Sequence, residues 1–542
     1  MEKLLKLIKI KTVLLIILIG IGLLLRFFWL SSVPAAMNRD EPAIGYNAFS
    51  ILKTGRDEWG IRWPLSFKSF GDYKSPLYIY LTAIPVYLFG LNEFSTRFLG
   101  ALAGFLIIGI TYLLTKKILG ETGFSGAVLT VFLITVSSWA IFYSRFSFEA
   151  NVALLFNIIA IYLFTQNNFQ KLNWFISLII GLSVLTYSSS LIIWPIFLTF
   201  WFIYFISKTF REKKFLLLVK NLLYIVLIVL VIFKQGILSG QKSRVTIFNN
   251  TQLRLDYNEL RTRKAEENIW VAKLFYNQYL YFGKILLNNY FKIFSWNFFF
   301  GGGGQHPWHK IPGIPHLYPI YIILIPIGLY RFFILLKINK NSKIFLSLFF
   351  LILPIASAMT IDNPHATRLL SLFFAFTFLA GLGLGWLYNK KRLIAIIFCL
   401  LIVFNFLRFT KAYFFDYKNQ LPKDLLPGVK SVIAVVEKEK NKADKVIFDN
   451  NADGAYIYLL FYTGYPPGDF QSNVKRYLPD AGRLEWVEKI DKYFFVNNSL
   501  PNNAFKEIYV SKGKQNLGGR EISQIRDYNN SDKVYYTILA NY

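Results

Sequence analysis

The sequence has one cysteine, four histidines and few charged residues. The single cysteine, Cys399, excludes an intrachain disulfide and a cysteine-ligated metal cluster, and it says little about the redox compartment. Only 17% of the 542 residues are charged, whereas 54% are hydrophobic and 18% are aromatic. The mean hydropathy is +0.41. This composition is too apolar for a soluble protein, so it predicts a multi-pass membrane protein.

Several other features are missing from the sequence. No internal repeat of fixed period is visible, and the tail contains neither a phosphate-binding glycine motif nor a recognisable metal-ligand spacing. No convincing cleavage site follows the lysine-rich start and the first apolar run, since Ala35-Ala36 is a weak match. We therefore interpret the first apolar run as a retained membrane helix.

Long apolar runs fill most of the first 411 residues, and their lengths predict about eleven transmembrane helices. The predicted spans are 11–31, 94–116, 123–143, 148–165, 173–190, 191–207, 215–234, 317–337, 343–360, 367–388 and 392–411. The sequence thus predicts a polytopic α-helical membrane domain, 1–411, with two long outer loops, 32–93 and 235–316.

The distribution of lysine and arginine among the short loops predicts the orientation. The basic ends carry Lys3, Lys6, Lys9, Lys11, Lys116, Lys117, Lys171, Lys208, Arg211, Lys213, Lys214, Lys337, Lys340, Lys343, Lys390, Lys391 and Arg392. The positive-inside rule places these ends and the N-terminus in the cytoplasm, and both long loops and the tail outside, as in a plasma (inner) membrane protein. The second long loop, 235–316, is also basic, and its basic residues include Lys242, Arg244, Arg254, Arg261, Arg263 and Lys264. Loops of this length are exempt from the rule, so these charges are free to serve an anionic partner. We expect no nucleic-acid partner.

The tail, 412–542, has a different pattern from the rest of the chain. Short runs that alternate apolar and polar residues predict strands at 445–448, 493–496 and 534–539, and 427–440 and 454–462 are typical of helices. The tail is therefore predicted to be a small extracytoplasmic α/β domain.

Two adjacent carboxylates, Asp40 and Glu41, follow the first predicted span, and Lys74 follows in the same outer loop. They form a candidate site for chemistry at the membrane surface. In the alternative interpretation, Asp40 only caps a helix that begins at Pro42. Lys74 is placed to meet a lipid phosphate, or it is an ordinary interfacial lysine that snorkels.

Further polar residues lie in other predicted outer loops. Arg145 and Glu149 join the third and fourth spans, where they form either a local ion pair or part of a functional cavity. His365 and Arg368 lie at the start of the tenth span and are suited to bind an anion together. His306 and His309 follow a run of four glycines in the long loop; the alternative for this stretch is a plain flexible linker.

The order of these features resembles the GT-C integral-membrane glycosyltransferases, in particular the branch of protein O-mannosyltransferases and lipid A aminoarabinose transferases (glycosyltransferase families 39 and 83). The resemblance covers about 11–411 and is strongest over 38–115. It rests on Asp40-Glu41, on Lys74-Ser75-Pro76-Leu77-Tyr78 with Leu81-Thr82-Ala83, on Tyr143-Ser144-Arg145 with Glu149, and on Pro364-His365-Ala366-Thr367-Arg368.

The resemblance implies two interfacial helices in the first outer loop and a polyprenyl-phosphate-linked sugar as donor. It implies that Asp40 is the catalytic aspartate that acts on the acceptor hydroxyl, that Glu41 is its neighbouring acid, and that Lys74 engages the lipid phosphate. Here Ser75-Pro76 follows the lysine, where Pro-Pro is common in the family. Arg145, Glu149, His365 and Arg368 fall in segments that line the family's cavity; the resemblance assigns them no individual roles.

The expected activity is transfer of a sugar to an extracytoplasmic protein, lipid or glycan acceptor, with inversion, Asp40 as base, and Lys74 with Arg368 and His365 on the phosphate. A retaining route stays open, with Glu41 or Glu149 as nucleophile. No cofactor is expected, and a divalent metal requirement stays open. The alternatives from other classes are a multi-pass lipid or polysaccharide transporter and a non-catalytic membrane protein with an exterior binding domain.

Overall fold

The structure is a computed structural model of the 542-residue chain. It describes residues 2–70, 72–120, 123–212, 215–238, 245–304, 306–422, 425–449, 454–479, 485–496, 506–513, 520–527 and 532–542. Of the residues used in the sequence interpretation, Lys213, Lys214, Lys242 and Arg244 lie outside these ranges, as do the side chains of Lys3, Lys6, Lys9 and Lys11. The chain divides into two compact units. One is the helical unit, 1–26, 102–144 and 148–409, and the other, 27–101, 145–147 and 410–542, is called the outer unit after the location that the sequence predicts for it.

Helices dominate the chain up to residue 411. They are Glu2–Phe27, Asp40–Thr54, Pro76–Phe89, Glu93–Leu119, Phe124–Val136, Ser138–Ser144, Glu149–Gln166, Trp174–Thr186, Ser190–Arg211, Phe215–Leu238, Thr251–Glu267, Ile269–Phe275, Gln278–Ile293, Trp296–Phe300, Tyr321–Tyr330, Lys340–Ile352, Ile355–Ala358, Leu370–Lys390 and Arg392–Lys411. Each predicted span falls on one or two of these helices. Among the described residues, seven helical stretches are long and apolar enough to cross a membrane, and eight if one bent pair counts as a span. The remaining three predicted spans match shorter apolar helices, and the multi-pass helical architecture is confirmed.

The bent pair consists of Phe124–Val136 and Ser138–Ser144, whose axes differ by 55°. The break frees carbonyl groups at the end of the first helix, and in an apolar surrounding these need partners. The buried guanidinium of Arg26 supplies them, because it donates to the carbonyl oxygens of Ile134 and Thr135 at 3.2 and 3.4 Å. This buried arginine therefore stabilises the broken helix.

Close helix packing in the helical unit depends on glycine. A Cβ atom at Gly328 would lie 1.9 Å from the carbonyl oxygen of Leu379, and one at Gly383 would lie 2.3 Å from that of Leu324. Helices Tyr321–Tyr330 and Leu370–Lys390 can approach this closely only because these positions have no side chain, as is usual where membrane helices meet.

The outer unit begins with the first outer loop, which contains two helices joined by a hairpin. Helix Asp40–Thr54 ends at Gly55, whose φ of 68° suits glycine and whose N–H bonds to the carbonyl of Ile51. Strands β1 (Phe67–Ser69) and β2 (Asp72–Lys74) pair antiparallel, so that Phe67 lies opposite Lys74. Helix Pro76–Phe89 follows directly, with proline at its first position.

The rest of the outer unit is an α/β region. Its helices are Val429–Glu439, Ala455–Thr463 and Pro467–Asn473, and its strands are β3 (Lys445–Asp449), β4 (Lys475–Arg476), β5 (Val487–Ile490), β6 (Tyr493–Val496), β7 (Glu507–Lys512), β8 (Arg520–Arg526) and β9 (Val534–Ala540). The sheet order is β4-β5-β6-β3-β7-β9-β8, with β3 parallel to β6 and β7 and the other pairs antiparallel. The predicted α/β character of the tail is confirmed.

One hydrophobic core joins the first outer loop to the α/β region. Tyr46 of helix Asp40–Thr54 meets Phe470 edge to face at 6.0 Å, and Phe70 of the hairpin meets Tyr456 at 5.6 Å. All four side chains belong to the same buried cluster. These contacts place 27–101 and 410–542 in the same compact unit. The boundary between a membrane domain, 1–411, and a C-terminal domain, 412–542, stays a prediction from the sequence pattern.

Candidate active site

Asp40 is the first residue of helix Asp40–Thr54, and Arg39 before it already has helical angles, φ −59° and ψ −23°. The side chain of Asn38 caps this first turn. The Asn38 Oδ1 atom accepts from the backbone N–H groups of Asp40 and Glu41 at 2.9 and 3.1 Å. In return, a carboxylate oxygen of Glu41 accepts from the backbone N–H of Asn38 at 3.2 Å. This is a capping box formed by Asn38 and Glu41. The interpretation that the Asp40 side chain caps the helix is therefore wrong.

The Asp40 carboxylate instead faces Lys74. The Lys74 ammonium nitrogen lies 2.8 Å from Asp40 Oδ1. The Lys74 side chain is only 7% exposed, whereas that of Asp40 is 49% exposed. Because Lys74 ends β2 directly before helix Pro76–Phe89, its backbone is fixed on both sides. The pair combines an accessible carboxylate with an ammonium group held in a buried position.

Glu41 points in another direction, into a fully buried ion pair with Arg97. Arg97 Nε lies 3.0 Å from Glu41 Oε1, and Arg97 Nη2 lies 3.3 Å from Oε2. Neither side chain is exposed. Ser147 donates to Glu41 Oε1 through its backbone N–H at 3.1 Å and through its hydroxyl at 3.3 Å. Both carboxylate oxygens of Glu41 thus accept hydrogen bonds from neighbouring residues of the fold.

Arg97 also holds the chain just before Asp40. It donates to the carbonyl oxygens of Leu30, Pro34 and Ala36 at 2.9 to 3.1 Å. The turn after helix Glu2–Phe27 is therefore fixed by one guanidinium group whose charge Glu41 balances. The sequence interpretation missed Arg97. The sequence feature that could have identified Arg97 is an arginine inside a largely apolar predicted span, 94–116, because such a residue is a functional or structural candidate by default.

Arg145 has a similar structural environment in the outer unit. Its Nη2 atom donates to the carbonyl oxygens of Phe28 and Val33 at 2.8 and 2.9 Å. The guanidinium carbon lies 4.9 Å from the ring centre of Phe414. Glu149 begins helix Glu149–Gln166 and belongs to the helical unit. The predicted pairing of Arg145 with Glu149 stays a prediction.

Two further acids of the first outer loop are buried, and the sequence interpretation missed both. Asp57 and Glu58 are fully buried. Neither Glu58 carboxylate oxygen accepts a hydrogen bond of ordinary geometry among the described residues. Burial raises the pKa of Glu58 to about 8. In the sequence these acids have the pattern of ordinary loop residues, Arg56-Asp57-Glu58-Trp59.

The α/β region covers this acidic turn. Arg476 lies over the Trp59 ring, with its guanidinium carbon 3.7 Å from the ring centre, and donates to the carbonyl oxygen of Glu58 at 3.2 Å. Gln471 donates to the carbonyl oxygen of Asp57 at 2.9 Å. These contacts fix the turn next to helix Asp40–Thr54.

A separate polar cluster lies in the helical unit around Asp362. Arg368 Nη1 donates to Asp362 Oδ1 at 2.5 Å. The other carboxylate oxygen, Oδ2, lies 3.2 Å from His306 Nε2 and 3.5 Å from His365 Nε2. Ligand atoms of His306, Asp362 and His365 all lie within 4.8 Å of one another, so these three residues have the geometry to hold a metal ion. The structure thus brings together His306, His365 and Arg368, which the sequence had placed in two different loops.

The electrostatics of this cluster follow from burial and from Arg368. Burial alone would raise the pKa of Asp362, but the hydrogen bond to His306 and the charge of Arg368 outweigh it and hold this pKa well below its usual range. Burial and the Arg368 charge hold the pKa of His365 well below 6.5. Asp362 is therefore a carboxylate and His365 a neutral imidazole at neutral pH.

The remaining histidines of the long loop, His309 and His316, are buried. The ring of His309 lies 4.9 Å from the rings of both His306 and His365. Tyr143 donates through its hydroxyl to the carbonyl oxygen of His309 at 2.7 Å. His316 lies 3.1 Å from the carbonyl oxygen of Gly303, and burial lowers its pKa to about 4. The stretch predicted as a plain linker in the alternative interpretation thus contains ordered, buried histidines.

Comparison with known proteins places this geometry in context. The family model for dolichyl-phosphate-mannose-protein mannosyltransferase matches residues 73–235, a segment that begins next to Lys74. No curated protein sequence matches the chain. Among solved structures, ArnT from Cupriavidus metallidurans is similar in the apo state, with a TM-score of 0.53, and bound to undecaprenyl phosphate, with a TM-score of 0.54. Each ArnT comparison has 11% sequence identity, and they cover 97% of this chain and 97% and 98% of ArnT.

A second similar protein is the archaeal oligosaccharyltransferase AglB from Archaeoglobus fulgidus, in complex with an inhibitory peptide and a dolichol-phosphate. It has 16% identity and a TM-score of 0.49, and the match covers 83% of this chain. This chain spans only 63% of the AglB chain.

The fold is that of the GT-C integral-membrane glycosyltransferases. The sequence match is to the family model for dolichyl-phosphate-mannose-protein mannosyltransferase, and the whole-length structural match is to ArnT. The expected GT-C resemblance is confirmed. The roles of Asp40, Glu41, Lys74, Arg145, Glu149, His306, His309, His365 and Arg368 stay predictions.

Proposed function

We propose that the protein is a membrane glycosyltransferase that moves a sugar from a polyprenyl-phosphate-linked donor to an acceptor hydroxyl on the extracytoplasmic side. The observation that carries this proposal is the pair of Asp40 and Lys74, an accessible carboxylate 2.8 Å from a buried ammonium group. The ArnT structure with undecaprenyl phosphate supports a donor of this lipid class. The basic ends of the predicted spans support a plasma membrane protein with a cytoplasmic N-terminus.

The buried ammonium of Lys74 is suited to the donor phosphate. A lysine presents a compact positive charge, and its attraction to a phosphate increases where water is excluded. When the phosphate binds Lys74, it takes the place of Asp40 as counter-ion. The Asp40 carboxylate is then available to accept a hydrogen bond from the acceptor hydroxyl.

The transfer then proceeds in one displacement. The acceptor oxygen forms a bond to the anomeric carbon, its proton passes to Asp40, and the bond from the anomeric carbon to the phosphate oxygen breaks. The polyprenyl phosphate leaves with the bonding electron pair, and Lys74 stabilises its charge. One displacement inverts the anomeric configuration.

We assign Glu41 a positioning role. A retaining route requires a second carboxylate that is free to attack the sugar. Both Glu41 oxygens are engaged by Arg97, Ser147 and the backbone of Asn38, which argues against Glu41 as nucleophile. Arg97 and Glu41 instead fix the turn from which Asp40 projects. The sequence leaves Glu149 as the other candidate nucleophile for a retaining route.

His365 and Arg368 were predicted to help hold the donor phosphate. In the helical unit Arg368 is paired with Asp362, so a phosphate would have to compete with that carboxylate. We therefore propose Lys74 as the main phosphate ligand. The acceptor hydroxyl belongs to a protein, a lipid or a glycan.

The proposal is tested with purified protein in nanodiscs and a set of polyprenyl-phosphate-linked sugars. Release of free polyprenyl phosphate, followed by mass spectrometry, reports transfer or hydrolysis even before the acceptor is identified. Mass spectrometry of the lipids that copurify with the protein should identify the donor class. Movement of the lipid across the bilayer, with no release of polyprenyl phosphate when protein, lipid and glycan acceptors are supplied, would contradict the proposal and favour a transporter.

A further inference from the structure

The cluster of His306, Asp362 and His365 has the donor atoms that Zn²⁺ and related divalent ions prefer. Structural and catalytic zinc sites use imidazole nitrogen and carboxylate oxygen at about 2.0–2.2 Å from the metal. Tetrahedral bonds of that length separate neighbouring ligand atoms by about 3.4 Å. In this structure Asp362 Oδ2 lies 3.2 Å from His306 Nε2 and 3.5 Å from His365 Nε2. These two separations match those of bound ligands.

The residues around these three side chains resemble the outer contacts of a metal site. Arg368 donates to Asp362 Oδ1, which leaves Oδ2 directed at the histidines. Thr367 Oγ1 lies 3.0 Å from His365 Nδ1. In the tautomer that donates this Nδ1–H to Thr367, the Nε2 lone pair faces Asp362. Such hydrogen bonds to the far sides of the ligands commonly orient them for a metal.

His309 provides a second, independent observation. Its side chain is buried, and its Nδ1 atom has no hydrogen-bond partner among the described residues. The Trp308 indole N–H donates to His309 Nε2 at 3.0 Å, so in the neutral ring the hydrogen resides on Nδ1. A buried donor without a partner is costly. Next to a metal with three protein ligands, this N–H can donate to a water or an anion oxygen at the fourth position.

We propose that His306, Asp362 and His365 bind a divalent transition-metal ion of the Zn²⁺ type, with a fourth position bordered by His309. An all-oxygen binder such as Mg²⁺ or Ca²⁺ does not suit two imidazoles. The proposal uses neither Asp40 nor Lys74, so it stands or falls independently of the proposed transferase activity.

The test uses full-length protein without a polyhistidine tag, loaded with Zn²⁺ and dialysed against buffer without metal. Mass spectrometry of the metal content should find about one Zn²⁺ per chain in the unaltered protein. The His306→Ala/His365→Ala double variant and the Asp362→Asn variant should each lose at least tenfold in zinc affinity. His316→Gln is the matched control, because His316 is a buried histidine of the same loop outside the cluster, and it should keep the metal.

A second readout separates loss of the site from loss of the fold. Zn²⁺ should raise the thermal unfolding temperature of the unaltered protein and of His316→Gln, but not that of Asp362→Asn. Cobalt replacement should give the visible absorption of a low-symmetry Co²⁺ site in the same two proteins only. The proposal would be overturned if the unaltered protein held no zinc after loading and dialysis. It would also be overturned if the double variant held as much zinc per chain as the unaltered protein.

Discussion

Glu41 and Arg97 form an ion pair in which neither side chain is exposed, with Arg97 Nε 3.0 Å from Glu41 Oε1. Asp40, the preceding residue, is 49% exposed and paired with Lys74. Two consecutive acids thus have separate tasks. Glu41 anchors the turn after helix Glu2–Phe27, and Asp40 is partly exposed next to Lys74.

This division predicts that Glu41→Gln destabilises the protein. Removing one partner of a buried ion pair leaves the other charge buried without compensation, at a cost of about 3–5 kcal/mol. We expect a large fall in the thermal unfolding temperature in detergent. Asp40→Asn should destabilise the protein less than Glu41→Gln does, because the Asp40 side chain is 49% exposed and water can partly screen the Lys74 charge that it leaves behind. Equal losses in the two variants would contradict the division.

Lys74→Ala should chiefly weaken donor binding. A hydrogen bond to a charged group contributes about 1.5–3 kcal/mol, so the donor Kd should rise by about 10- to 150-fold. Lys74→Arg keeps the positive charge and should recover part of the affinity. Lys53→Ala is the control, because Lys53 is an exposed lysine of helix Asp40–Thr54. Donor affinity in Lys74→Ala equal to that of the control would remove Lys74 from the phosphate site.

Much of the fold follows from the sequence. Apolar length indicated the seven described helical stretches that are long and apolar enough to cross a membrane, and alternation indicated strands β3, β6 and β9. These patterns are local consequences of burial. Long-range pairings are different. Glu41 and Arg97 are 56 residues apart, and the sequence alone does not show that they meet.

The candidate site was predictable to a similar extent. The family resemblance brought attention to Asp40 and Lys74, which the structure pairs. The Asn38 cap was readable, since asparagine followed by glutamate three residues later is a capping-box pattern. The position of Asp362 between His306 and His365 was not, because it joins two loops that are distant in the chain.

Glu58 predicts a pH dependence of stability. Burial raises its pKa to about 8 against an ordinary 4.5, and Arg476, Asp57 and Lys74 are the charged groups that act on it. The folded state therefore binds this proton more tightly than the unfolded state. Its contribution to stability is full below about pH 4.5 and is lost as the pH rises towards 8.

Thermal unfolding between pH 5 and pH 9 checks this expectation. Glu58→Gln cannot ionise, so its unfolding temperature should fall less with rising pH than that of the unaltered protein. Glu521→Gln, which alters an exposed glutamate of the same unit, should follow the unaltered protein. Identical pH profiles for Glu58→Gln and the unaltered protein would show that Glu58 does not titrate in this range.

The central claim is that Asp40 is the base for sugar transfer, and its most direct test is single-turnover transfer by Asp40→Asn in nanodiscs loaded with a polyprenyl-phosphate-linked sugar. We predict that the rate falls by at least about 10²-fold, the usual lower range for loss of a general base. Donor binding should be at least as tight as in Asp469→Asn, which alters an exposed aspartate of the same unit, because Asp40 no longer competes with the phosphate for Lys74. Thermal unfolding should show that the variant is folded at the assay temperature. Transfer by Asp40→Asn at the rate of the unaltered protein would contradict the account.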